Sequence, residues 1–249
     1  MDGSKLRSWL IVPASSTPQV TAASRAGADV VVLDLAELVA DKGSARKTVR
    51  AAIESLKGGS AAVYAQVDAN ALEADLDACA WPGLAGIVIS RAESARQVQD
   101  AAQRLGRLEE ARGIAPGVKI VAAVETAPGN HAAYDIARAS PRVSGLTLGR
   151  ADLVMDLRPE PSGEIHLMPY LMQRLVIVAG AAGVAPIGAW WRAPDRGLLA
   201  TPENTRRAAE RGRAIGFKGA KCLRPGQVAP LNTAYGGGAR SGEAFAARD

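Results

Sequence analysis

The residues of this chain best placed for chemistry are two carboxylates, Glu125 and Asp152, each at the end of a short apolar run. Residues Lys119 to Thr126 read KIVAAVET and are bounded by Pro116-Gly117 and Pro128-Gly129, the pattern of a buried strand that ends on an acid. A second strand, Gly145 to Leu148, leads through Gly149 to Asp152. If both strands run parallel in one α/β sheet, their carboxyl ends share an edge, and such folds bind ligands at that edge. Two acids converging there are most simply explained by a divalent cation.

Positioning these acids requires a regular scaffold, and the chain supplies one. Ser8 to Ala14 is strand-like, and Thr17-Pro18 offers an N-cap followed by proline at the first helical position, opening a helix through Ala28. Val30 to Leu35 is a second buried strand, followed by a helix from Ser44 to Leu56 that Gly58-Gly59 closes. The alternation continues with strands at Ala61 to Val67, Gly86 to Ser90, Lys119 to Thr126, Val143 to Leu148, Pro186 to Trp191 and Gly219 to Leu223. Between them fall helices at Ala71 to Ala80, Ser94 to about Arg112, about Asn130 to Ala139, about Leu167 to Ala182 and Thr201 to Ile215, with a short segment at Ala151 to Leu157. Eight strand-then-helix units predict a closed (β/α)8 TIM barrel, a single α/β domain over residues 1–235, with a flexible tail at 236–249. Arg158 to Gly163 reads as an exposed loop. The carboxyl ends of the strands then carry Asp34, Gln66, Arg91, Glu125, Asp152 and Arg224.

Composition narrows the function classes. At 249 residues with 48% hydrophobic and 22% charged content, the chain can bury a full core. No apolar run approaches the roughly 18 residues of a membrane span, and the opening MDGSKLRSWLIVP lacks a signal-peptide pattern, which predicts a cytoplasmic protein with no membrane partner. Cys79 and Cys222 lack zinc spacing and read as buried free thiols. The net charge of +5 and pI near 9.5 favour small anions, but an aromatic content of 4% and the lack of a basic stripe argue against nucleic acid.

In order along the chain, RSWLIVPA is similar to RSxLFVPG, GADVVVLDLAELV to GADxVxLDLEDAV, VISRAES to LPKxES and VAAVETAPG to IETxxG. GLTLGRADLVMDL is similar to FGxxDLxxDLG, and GFKGAKCLRPGQVAPLN to GFxGKxxIHPxQVxxVN. Six motifs in this order resemble the citrate lyase β-subunit-like branch of the HpcH/HpaI aldolase and citrate lyase family over nearly the whole chain. The resemblance implies a Mg2+-dependent barrel, commonly trimeric, that makes or breaks a carbon–carbon bond next to a carboxylate or thioester carbonyl. It makes Glu125 and Asp152 the metal ligands, hard oxygen donors that suit Mg2+ or Mn2+ and leave positions for water and substrate, and implies a small anionic substrate, such as an oxo acid, an acyl-CoA or another acyl thioester. The cation would polarise a carbonyl and hold the developing enolate.

The departures fall on the same rim. Where the family has VRVN on the third strand, AQVD places Gln66 at the arginine position, and the acidic pair after strand two is Ala36-Glu37, although Asp34 remains. The fourth-strand lysine is Arg91, and the histidine before the last proline is Arg224. Asp34 and Glu37 read either as catalytic or substrate-facing acids or as structural carboxylates bonding backbone amides. Arg91 and Arg224 either bind an anion or pair with rim acids. Arg150, two residues before Asp152, is the candidate replacement for the missing arginine; the alternative has it pointing outward or pairing with Glu37. His131 and His166 lack metal spacing, and Trp190-Trp191 reads as packing. Three functions remain open: a lyase or aldolase, a relative redirected to Claisen-type condensation or thioester hydrolysis, and a barrel that has lost chemistry.

Overall fold

The computed structural model describes residues 6–149, 157, 161–189 and 201–236, with backbone alone at 161–167 and 189. Eight strands close into one all-parallel barrel in chain order: β1 (Ser8–Pro13), β2 (Val30–Asp34), β3 (Ala62–Asp68), β4 (Leu84–Ser90), β5 (Lys119–Ala123), β6 (Val143–Thr147), β7 (Ala185–Ala189) and β8 (Gly219–Cys222). Around it lie α1 (Thr17–Ser24), α2 (Lys42–Leu56), α3 (Leu72–Cys79), α4 (Ala95–Arg112), α5 (Ala127–His131), α6 (Ala133–Arg138), α7 (Pro161–Ala182), α8 (Pro202–Ile215) and α9 (Val228–Gly236). No helix among the described residues is long and apolar enough to cross a membrane. Both cysteines are free and buried, as their spacing suggested.

Successive strand residues face opposite sides of a sheet, so each apolar strand feeds two cores. Leu10, Val12, Val31, Leu33, Ile87, Ile89, Ile120 and Leu146 belong to the outer core under the helices. Trp9, Ile11, Val30, Val32, Tyr64, Val88, Val121, Ala123 and Ile187 fill the barrel interior. There the Trp9 and Tyr64 rings meet edge to face at 4.9 Å, and Gly86 makes room for them: a Cβ on it would lie 2.2 Å from the Tyr64 ring. The interior is packed, which leaves the carboxyl-terminal mouth as the place for a ligand.

Several boundaries differ from the sequence reading. The first helix stops at Ser24, and the chain turns through Gly27 at φ +70. The helix expected after the fifth strand is two short pieces meeting at Ala132, whose ψ of 8 interrupts the helical course. The stretch read as a loop at Arg158 to Gly163 contains the start of α7, for Pro161 suits a first turn, where its missing N–H costs nothing. Trp190 and Trp191 lie outside the described residues.

Candidate active site

The inward alternation that fills the barrel continues at its carboxyl end with polar residues. On β2, Val30 and Val32 are followed by Asp34; on β3, Tyr64 by Gln66; on β4, Val88 by Ser90. β5 ends at Ala123, yet the Val124 N–H donates to the Thr147 carbonyl at 2.9 Å, so the extended course persists and Glu125 falls in phase with Val121 and Ala123. Glu125 is 1% exposed. Its Oε2 accepts the Arg91 N–H at 3.2 Å, and its Oε1 lies 3.3 Å from the Lys221 ammonium. Arg91 holds a left-handed backbone conformation at φ 51, unfavourable for a side chain of that size, and the Glu125 bond helps to fix that turn. Gly129 allows the turn and α5 to approach, because a Cβ there would lie 2.3 Å from the Ala92 carbonyl oxygen.

Asp34 is fully buried and works on its own loop. One carboxylate oxygen accepts the Ala36 N–H at 2.9 Å, both accept the Glu37 N–H at 3.2 Å, and Oδ2 also accepts the Leu38 N–H. Burial pushes its pKa above the ordinary value, and the three amides and the charge of Lys221 only partly oppose this. The Glu37 side chain is exposed, while its N–H is one of the amides Asp34 holds.

The remaining predicted residues separate into two groups. Gln66 faces the mouth, 2% exposed, with Oε1 lacking a hydrogen-bond partner; Thr147 Oγ1, on β6, is buried in the same condition. Arg91 and Arg224 are exposed. The Arg91 charge helps to hold Asp68, at the end of β3, below its ordinary pKa: burial opposes ionisation there, but the Lys42 ion pair, the Asn70 N–H and Arg91 outweigh it. Arg150 and Asp152 lie outside the described residues, as does the Trp pair, and no side-chain placement is described for His166. His131 is exposed at the end of α5.

The residue that sequence reasoning missed is Lys221. In β8 it is in register with Trp9, so it points into the barrel, whereas Ala220 and Cys222 on either side of it belong to the outer core. It is 9% exposed, and no other lysine or arginine among the described residues is buried. The available signal was a lone lysine in a four-residue apolar strand, GAKC, whose neighbours both pack outward.

Residues 7–225 match the family described as HpcH/HpaI aldolase/citrate lyase. The chain belongs to this family. Its sequence is 28% identical to the citrate lyase subunit beta of Escherichia coli (strain K12), over 92% of this chain and 76% of that protein. It is 27% identical to a (3S)-malyl-CoA thioesterase of Cereibacter sphaeroides, again over 92% of this chain and 76% of the relative. Among solved structures it resembles the citrate lyase beta subunit from M. tuberculosis complexed with oxaloacetate and magnesium, with a TM-score of 0.71, 25% identity and coverage of 94% and 99% of the two chains. For a family member, the chemistry of the mouth fits a hard cation at Glu125, a buried carboxylate whose described partners are one amide and one ammonium. No group of three or more His, Cys, Asp or Glu among the described residues could hold a metal, and Asp152, the second ligand expected from the sequence, lies outside them.

Proposed function

We propose that this chain is a Mg2+-dependent carbon–carbon lyase or aldolase acting on a small oxo acid or an acyl thioester. The observation that carries the reading is Glu125, held almost fully buried at the carboxyl-terminal mouth of the barrel, in a family with a magnesium- and oxaloacetate-bound relative. In this reading Glu125 and Asp152 hold the cation, which supplies Lewis-acid polarisation of the carbonyl beside the bond that breaks. Asp34 shapes the loop over the mouth through the amides of Ala36, Glu37 and Leu38, bringing Glu37 to the rim. Gln66 offers an unpartnered acceptor to a substrate hydroxyl, Arg91 and Arg224 are exposed cations for the anionic part of the substrate, and Arg150, outside the described residues, is a further candidate for it. The same reading includes a cytoplasmic homotrimer; a monomeric mass by light scattering would remove that part.

A second reading, thioester hydrolysis, is favoured by the malyl-CoA thioesterase relative and by the loss of the arginine at Gln66. Two measurements decide. Calorimetry should show Mg2+ binding that Glu125→Gln abolishes, and unchanged affinity in that variant would place the metal elsewhere. With malyl-CoA as substrate, lyase chemistry releases glyoxylate and acetyl-CoA, while hydrolysis releases malate and free CoA. Neither product pair, with Mg2+ bound, would leave a binding protein.

A further inference from the structure

We propose that Lys221 is the cation that receives the carboxylate of a small hydroxy or oxo acid in this barrel, replacing across the mouth the charge that Gln66 does not carry. The proposal deepens the lyase reading of the mouth and rests on it.

Three observations converge on this residue. First, the mouth is acidic inside: Asp34 and Glu125 are 0% and 1% exposed, so an anionic ligand needs a buried positive charge to enter beside them. Arg91 and Arg224 are exposed, and Lys42 is engaged by Asp68. Lys221 is the buried cation among the described residues, and its ammonium lies 3.3 Å from Glu125.

Second, the mouth holds buried polar atoms without a hydrogen-bond partner among the described residues. Gln66 Oε1 and Thr147 Oγ1 are each at least nine-tenths buried, face the interior and have no partner. An amide oxygen accepts and a hydroxyl can do either, which complements the hydroxyl or carbonyl of a short hydroxy or oxo acid. With Lys221 they put three polar groups on the inward faces of β3, β6 and β8.

Third, the face of the strand is decisive. Ala220 and Cys222, on either side of the lysine, pack against the helices. Side chains alternate along a strand, so Lys221, in register with Trp9, stands in the barrel interior. The 3.3 Å contact with Glu125 holds the ammonium in the mouth, and an ammonium carries three donors, more than one carboxylate oxygen uses.

The test is calorimetry of malate and pyruvate binding, with and without Mg2+, to wild type, Lys221→Met and Lys221→Arg. Methionine keeps an apolar stem of similar length without the charge. Lys221→Met should weaken binding by about tenfold or more, with partial recovery in Lys221→Arg, while Mg2+ affinity is retained or increased because no ammonium competes for Glu125. Equal affinity in wild type and Lys221→Met overturns the proposal, as does a wild type that binds neither acid. If the acids bind through Lys221 but Mg2+ does not bind at all, the metal reading falls and this one stands. A measurement on the unaltered protein covers a variant that fails to fold: in acetic anhydride labelling read by mass spectrometry, malate should slow acetylation of Lys221 while leaving exposed lysines unaffected. Unchanged labelling of Lys221 under saturating malate also overturns it.

Discussion

The ammonium of Lys221 lies 3.3 Å from Oε1 of Glu125, although the two belong to strands three places apart around the barrel, and both residues are more than nine-tenths buried. Such a pair is poor evidence of net stabilisation, because desolvation offsets the attraction, but each partner makes the other tolerable. Glu125→Gln and Lys221→Met should each cost about 3 kcal/mol by stranding a buried charge. The double variant should lose less than the sum of the two. Denaturant unfolding of the four proteins measures the coupling, and additive losses would mean the charges do not act as a pair.

Asp34 illustrates a different use of a buried acid. Its carboxylate satisfies three successive amides of the loop after β2, so Asp34→Ala should cost about 2 kcal/mol and loosen that loop before the barrel. Hydrogen exchange should show Ala36, Glu37 and Leu38 losing protection while the amides of β2 keep theirs. Undiminished protection at those three amides would assign Asp34 to the substrate rather than to the loop.

At the opposite end of the barrel, Glu109 accepts the Gly117 and Val118 amides and forms a two-pronged pair with Arg142, tying α4 to the starts of β5 and β6. Burial opposes ionisation of Glu109, but Arg142 and the two amides outweigh it and hold its pKa below the ordinary 4.5. A carboxylate with a lowered folded-state pKa contributes stability above its unfolded value and loses it as pH falls through the folded one. The wild type should therefore lose stability below about pH 4.5 more steeply than Glu109→Gln, which lacks this titration. Denaturant midpoints between pH 3 and 7 would show it, and parallel curves for the two proteins would contradict it.

How much of this was legible in the sequence depends on what fixes each feature. The strands were, because runs such as VVVLDL and KIVAAVE are too short and too β-branched for helices, and parallel strands buried on both faces require apolar residues at every position. Glu125 was legible as an acid in phase with an apolar strand. Lys221 was not, because GAKC is only four residues long and its inward face is set by pairing with Trp9, more than 200 residues away in the chain. That the Asp34 carboxylate meets the amides of 36–38 is a property of loop geometry that residue types leave open. Arg150, offered by the sequence as the replacement for the missing arginine, lies outside the described residues, and Lys221 reaches the mouth from a strand that shares no sequence neighbourhood with Asp152.

That last point leads to an exchange experiment. Gln66 and Lys221 both face the mouth, so if Lys221 carries the charge that an arginine on β3 would supply, moving the charge back should rescue its loss. Gln66→Arg in the Lys221→Met background should recover about tenfold in malate affinity over Lys221→Met alone, since a guanidinium can fork onto a carboxylate. In the wild-type background the same substitution should gain less. There the anion is already neutralised, and a second buried cation repels the first at short range in a medium of low dielectric. Calorimetry on the four combinations reads the difference, which is a coupling between two sites on opposite sides of one ligand. An equal gain from Gln66→Arg in both backgrounds would show that the two positions bind independently. No gain in either would show that the mouth cannot place a guanidinium at β3 where the acid can reach it.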